Sequence, residues 1–135
     1  MQSILLIGVS HLGQLIAKEM QEIGHEVMAV DHDEDRINTV EPIVTDARIG
    51  DSTNVDFLRS LGVNNYDICF VTIASGFESS LVTTALLKEI GAKKIIARAE
   101  SEIQERLLFR IGADEVINPE KMAAEAIASR FADKK

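Results

Sequence analysis

The 135-residue chain is long enough for one buried core and too short for a cofactor domain beside a separate catalytic domain. With 46% hydrophobic residues, only 4% aromatic and no Trp, that core has to be built from Ile, Leu, Val and Ala. The net charge of −8, with twelve acidic against four basic residues through Asp67, disfavours nucleic acid and polybasic membrane contacts; a bound phosphate has to rely on backbone N–H groups and a few placed side chains.

The N-terminus has no charged leader and its apolar stretch is broken by Gly8, so neither a signal peptide nor a transmembrane helix is expected. The cytoplasm is the expected compartment. Strand-length apolar runs then recur at Ser3–Ile7, Glu26–Val30, Ile43–Ile49, Ile68–Ala74, Lys94–Ala97 and Glu115–Ile117, with helical spacing between them. The expected apolar faces are Leu12, Leu15, Ile16, Met20 and Ile23, then Leu81, Val82, Leu86 and Ile90, then Ile103, Leu107, Leu108 and Ile111. Ile23-Gly24, Leu61-Gly62, Ile90-Gly91 and Ile111-Gly112 each place glycine where a helix closes before the next strand. This β-α repetition predicts an α/β fold, a Rossmann-like doubly wound parallel sheet of about six strands in the order 3-2-1-4-5-6. Cys69, inside the fourth run, reads as a small buried hydrophobe. Pro119 opens a last helix, roughly Glu120 to Ala132, which either covers the sheet or docks on another chain.

The first strand runs into Gly8-Val9-Ser10-His11-Leu12-Gly13 and then into a helix, the context in which a glycine-rich loop binds a dinucleotide. Gly8 makes the tight turn, and Gly13 lets the helix approach the sheet. Ser10 stands at the middle glycine, where its hydroxymethyl group either crowds the pyrophosphate or donates to it. His11 either donates to phosphate or is a surface histidine. Asp31, eighteen residues past Gly13, ends the second strand where a carboxylate accepts ribose hydroxyls and argues against a 2′-phosphate; the alternative is a helix cap, with His32 beside it. Further candidates at strand ends are Gly50-Asp51-Ser52-Thr53, Ser75-Gly76 and Arg98. Asp51 is equally a helix N-cap, and Arg98 is either a phosphate partner or an exposed residue. No catalytic residue is expected, since Ser10 lacks the spacing of a nucleophile elbow, and the three histidines lack metal-ligand spacing.

On these residues the chain resembles the N-terminal nucleotide-binding lobe of RCK (KTN) domains, regulators of Trk and Ktr potassium uptake systems and of some potassium channels. The resemblance rests on Ile7 to Gly13, Ala29-Val30-Asp31, Ile49-Gly50-Asp51-Ser52-Thr53, Ile96-Ala97-Arg98-Ala99 and the run from Ile111 to Glu120. It implies a single domain over residues 1–135 without the C-terminal RCK lobe. It also implies a regulatory ligand, NAD(H) or ATP, ADP or AMP, held by the Gly8–Gly13 loop, Asp31 and Asp51, with Arg98 near the phosphates and Glu120 approaching from an adjoining subunit. The implied partners are a membrane-embedded potassium channel or transporter subunit and further copies of the chain, paired as lobes and often in rings of eight. The domain would then sit in the cytoplasm at the inner face of the membrane, held by its protein partner, with no membrane insertion and no nucleic acid bound. Ser10, His11 and Asn118 depart from the glycine, arginine and histidine common at these places in relatives. The competing readings are an NAD-dependent oxidoreductase or its isolated cofactor domain, for which no second region follows, and a Rossmann-like protein that has lost its ligand.

Overall fold

A computed structural model describes residues 1–133; Lys134 and Lys135, which the sequence reading includes in the domain, lie outside the described residues. The chain alternates strand and helix: β1 (Ser3–Ile7), α1 (His11–Glu22), β2 (Glu26–Asp31), α2 (Glu34–Val40), β3 (Asp46–Ile49), α3 (Val55–Ser60), β4 (Ile68–Val71), α4 (Phe77–Glu89), β5 (Ile95–Arg98), α5 (Glu102–Ile111), β6 (Glu115–Ile117) and α6 (Pro119–Ser129). A short 3₁₀ turn, Val63–Asn65, precedes β4. The six strands are all parallel in the order 3-2-1-4-5-6, as the β-α repetition predicts.

Successive residues of a strand point to opposite faces, and both faces of the central strands are filled. Leu5, Ile7, Met28, Val30, Cys69, Val71, Ile95 and Ala97 pack on one side with Leu58, Leu87 and Leu108 from α3, α4 and α5. Ile4, Leu6, Val27, Ala29, Phe70 and Ile96 face the other side with Ala17 of α1 and Ile37 and Val40 of α2. The edge strands differ: β3 is mostly exposed and starts at Asp46, because the expected residues from Ile43 form a turn rather than extended chain. Burial pushes the Cys69 thiol up to about 12, consistent with an inert core residue.

Helix starts are set by short polar side chains. Asp33, Asn54, Ser101 and Asn118 accept N–H groups from the first turns of α2, α3, α5 and α6, and Pro119 occupies the first position of α6, where its missing N–H costs nothing. Gly24, Gly62, Gly91 and Gly112 have φ of +98°, +68°, +92° and +132°, the left-handed region expected at helix ends.

Three expected apolar faces need correction. Leu15 and Ile23 of the first helix region are 49% and 66% exposed, as are Ile103 and Leu107 of α5 at 55% and 39%. In α4 the fully covered side chains are Ser80, Thr83, Thr84 and Leu87, while Val82 faces out. Small hydroxyl residues there let the helix approach the loop after β3, where Ser52 and Thr83 share a 2.8 Å hydrogen bond. The helix α6 has no buried residue, and its bounds are Pro119–Ser129 rather than extending to Ala132.

The packing predicts an asymmetric response to truncation. Leu5→Ala, in the middle of the sheet and fully buried, should lower urea-measured unfolding stability by about 2–5 kcal/mol. Leu15→Ala should change it by no more than about 0.5 kcal/mol.

Candidate functional site

The sheet order reverses between β1 and β4, so the chains leaving these strands diverge to opposite faces and open a crevice at the strand ends. Gly8 forms its floor. It has φ +98°, and a Cβ there would lie 2.5 Å from the Ile73 backbone nitrogen, so only glycine fits beside the chain leaving β4. Thr72, fully buried, donates its hydroxyl to the Gly8 carbonyl at 2.7 Å and fixes the turn from below.

Gly13 is the second steric requirement. A Cβ at this position would sit 2.4 Å from the Gly8 carbonyl oxygen, which explains how α1 starts directly over the loop. Between the two glycines, Ser10 caps α1. Its hydroxyl donates to the Thr72 carbonyl at 2.7 Å and accepts the Gly13 N–H at 3.1 Å, and the residue is 5% exposed. The hydroxyl is thus committed inward, which corrects the alternative that it donates to a pyrophosphate.

Asp31 is the buried charge of the site, 5% exposed at the end of β2. Its Oδ2 accepts the Val9 N–H at 2.8 Å and its Oδ1 the Asp33 N–H at 2.9 Å. A guanidinium and an imidazole flank it, with Arg36 Nη1 3.8 Å from Oδ2 and His32 Nδ1 3.4 Å from Oδ1. The cap of α2 is Asp33, not Asp31, whose carboxylate faces the crevice.

On the β3 side, Asp51 closes a tight loop by accepting both the Thr53 hydroxyl at 2.7 Å and the Thr53 N–H at 2.9 Å. The cap of α3 is Asn54, so the alternative of Asp51 as a helix cap falls away. The Thr53 hydroxyl first, then its N–H, hold the Asp51 carboxyl below the usual carboxylate value of 3.8, with His32 adding a smaller push in the same direction.

These elements enclose a cavity of about 330 Å³. Of the residues expected from sequence, Gly8, Asp31, His32, Gly50, Asp51, Ser52, Thr53 and Ser75 line it. Val9, Ser10, His11, Leu12 and Gly13 shape the loop and the start of α1 without lining the cavity. Gly76 and Arg98 line a smaller cavity of about 170 Å³ that shares only Ile73 with the first. There Arg98 leaves Nε buried with no partner among the described residues, and Nη2 lies 3.6 Å from the exposed Glu100. Glu120, exposed on α6, belongs to neither. Sequence reasoning missed Arg36 and Ser79 on the wall and Thr72 beneath it; an arginine five residues past the ribose-type acid was the signal that could have been read. Among the described residues no cluster of three or more His, Cys, Asp or Glu is arranged for a metal, and no helix is long and apolar enough to cross a membrane.

The depressed Asp51 carboxyl has a testable sign. Its charged form is favoured in the folded chain, so any linked stability is present above the unfolded value and is lost as pH falls through the folded one. An NMR titration should place the Asp51 carboxyl below 3.8, and Thr53→Val, which removes the hydroxyl but keeps the N–H, should move it part of the way back.

Residues 4–119 match the TrkA-N domain family. The Ktr system potassium uptake protein C of Bacillus subtilis (strain 168) is 41% identical over 123 residues, covering 91% of this chain and 56% of that protein. The chain thus spans little more than half the length of the relative. The NAD(P)-binding domain of an exopolyphosphatase-related protein from Archaeoglobus fulgidus superposes with a TM-score of 0.86 at 24% identity, covering 97% of this chain and 98% of that one. The GsuK channel bound to NAD superposes at 0.76 and 17% identity, over 86% of this chain and 21% of the channel chain. The glycine loop, the acid ending β2 and the reversed sheet order are thus carried on a sequence that belongs to the TrkA-N domain family.

Proposed function

We propose that the chain is a regulatory module that binds NAD(H) or an adenine nucleotide in the cavity between Gly8, Asp31 and Asp51. The observation that carries this reading is Asp31: a buried carboxylate at the end of β2, oriented by two main-chain N–H groups toward an open cavity of about 330 Å³. The adenosine ribose belongs against Asp31, and the phosphates belong over Gly8 and the first turn of α1, where helix N–H groups favour negative charge. His11 opens that turn, and Arg98 and Gly76 in the adjoining cavity are the candidates for the distal end of a longer ligand. Glu120, remote on α6, is a candidate contact only for a second copy.

The relative named as a potassium uptake protein supports placing this binding in potassium transport, with the module acting on a membrane-embedded channel or transporter subunit. In this reading the domain is cytoplasmic, held at the inner membrane face by its partner, and assembles with further copies. Binding is the signal and no bond is made or broken. A nucleotide then acts by stabilising one of two arrangements of the assembly, which requires unequal affinity for the two.

Thermal unfolding of the chain with NAD⁺, NADH, AMP, ADP and ATP tests this reading. A ligand present at about a hundred times its Kd should add about 2.7 kcal/mol of stability. Asp31→Ala should abolish the gain. A melt unmoved by all five sinks the nucleotide reading, and substrate-dependent loss of NADH absorbance would favour an oxidoreductase instead.

A further inference from the structure

Besides its charged residues, the cavity is lined by the hydroxyl side chains of Ser52, Thr53, Ser75 and Ser79. Thr53 is committed to Asp51. Ser52 is committed to a residue behind the wall, Thr83 of α4, which is fully buried and does not line the cavity. A threonine within a helix can bond its hydroxyl to the carbonyl four residues earlier, as Thr39 does to Asp35 at 2.9 Å. Thr83 turns away from its own helix instead. Its Oγ1 lies 2.8 Å from Ser52 Oγ and 3.3 Å from the Ser52 carbonyl oxygen. Valine would fill the same space without burying a hydroxyl, so what threonine adds at this position is its bonding to Ser52.

Each hydroxyl carries one hydrogen and rotates to suit its neighbours, so these distances allow two arrangements. In the first, Thr83 donates to the Ser52 carbonyl while Ser52 donates to Thr83 Oγ1, and the cavity meets only lone pairs of Ser52. In the second, Thr83 donates to Ser52 Oγ, and the Ser52 hydrogen is free to turn into the cavity. The first makes two bonds within the protein and the second only one, so an acceptor atom in the cavity is what shifts the balance to the second. Resting on the nucleotide reading above, we propose that Thr83 is a positioning residue that acts through Ser52, turning the Ser52 hydroxyl into a donor for an acceptor atom of the bound nucleotide. On binding, the Ser52 hydrogen swings into the cavity and Thr83 moves its own donation from the Ser52 carbonyl to Ser52 Oγ. The Ser52 oxygen keeps its internal partner in both arrangements, so the ligand meets a hydroxyl whose position is already fixed.

The test is a double-mutant cycle on affinity, by calorimetric titration of the full chain with ADP and with NAD⁺, which share the adenosine diphosphate portion. Thr83→Val, which keeps the shape and removes the hydroxyl, should weaken binding about fivefold, the scale of one neutral hydrogen bond. Ser52→Ala should weaken it by at least as much. With Ser52→Ala already in place, adding Thr83→Val should change affinity by less than about twofold, because Thr83 then has no hydroxyl to act through. Thr83→Ser, which restores the hydroxyl, should return affinity to within about twofold of the native chain. A purely structural role for Thr83 would cost the same with or without the Ser52 hydroxyl. Each variant is first checked for a cooperative melt, and if Thr83→Val lacks one, Thr83→Ala takes its place with the same expected outcome. Native affinity in the variant without the Thr83 hydroxyl, an equal loss in the Ser52→Ala background, or no recovery in Thr83→Ser overturns this inference and leaves the nucleotide reading standing. Failure of the native chain to bind either compound overturns both.

Discussion

The site is organised by the bond from the Val9 N–H to the Asp31 carboxylate. The register of β1 on β2 places Ile7 opposite Val30, so the chain leaves the sheet at Gly8 just as β2 reaches Asp31. Gly8 N–H still reaches the Val30 carbonyl at 2.8 Å, and the next N–H turns onto the carboxylate. A hydrogen bond to a charged acceptor contributes about 1.5–3 kcal/mol, and a buried carboxylate left without donors costs more than that. The loop and the acid therefore hold each other, and the cavity inherits its floor and one wall from the same contact.

The opposite wall depends on the other half of the sheet. Thr72, one residue beyond β4, bonds to the Gly8 carbonyl through its hydroxyl and to Ser10 through its carbonyl, so the turn after β1 is clamped from both sides of the strand reversal. Ser52 continues the link by bonding to Thr83 of α4, which joins the loop after β3 to a helix on the far side of the crevice. Ligand-dependent movement of this loop would therefore be felt by α4 directly. These are contacts between packed, buried groups, the kind of connection through which two sites share a conformational equilibrium.

Much of this was legible in the sequence, for identifiable reasons. Strand and helix positions followed from runs such as Ile4-Leu5-Leu6-Ile7 and from the glycines at helix ends, since left-handed backbone there leaves little choice of residue. Gly8, Gly13 and Asp31 could be singled out because each answers a steric or chemical demand at one position. Leu15 and Ile23 misled because an apolar side chain on a helix says nothing of which neighbour covers it, and the described chain leaves them 49% and 66% exposed. Thr72 was hidden inside an apolar run read as continuous strand, and Arg36 follows the acidic run Asp33-Glu34-Asp35, where no motif marks it. Ser10 could be read at the loop but not its direction: whether a hydroxyl faces ligand or protein depends on Thr72, sixty-two residues away.

The most direct measurement is a ¹H–¹⁵N NMR titration of the chain with ADP. If the cavity beside Asp31 holds the nucleotide, the amides of Gly8, Val9, Asp33 and Thr53 should shift together along one saturable curve, with α6 unaffected. Shifts confined to the Arg98 cavity and α5, with the Val9 and Asp33 amides unmoved at saturation, would contradict it.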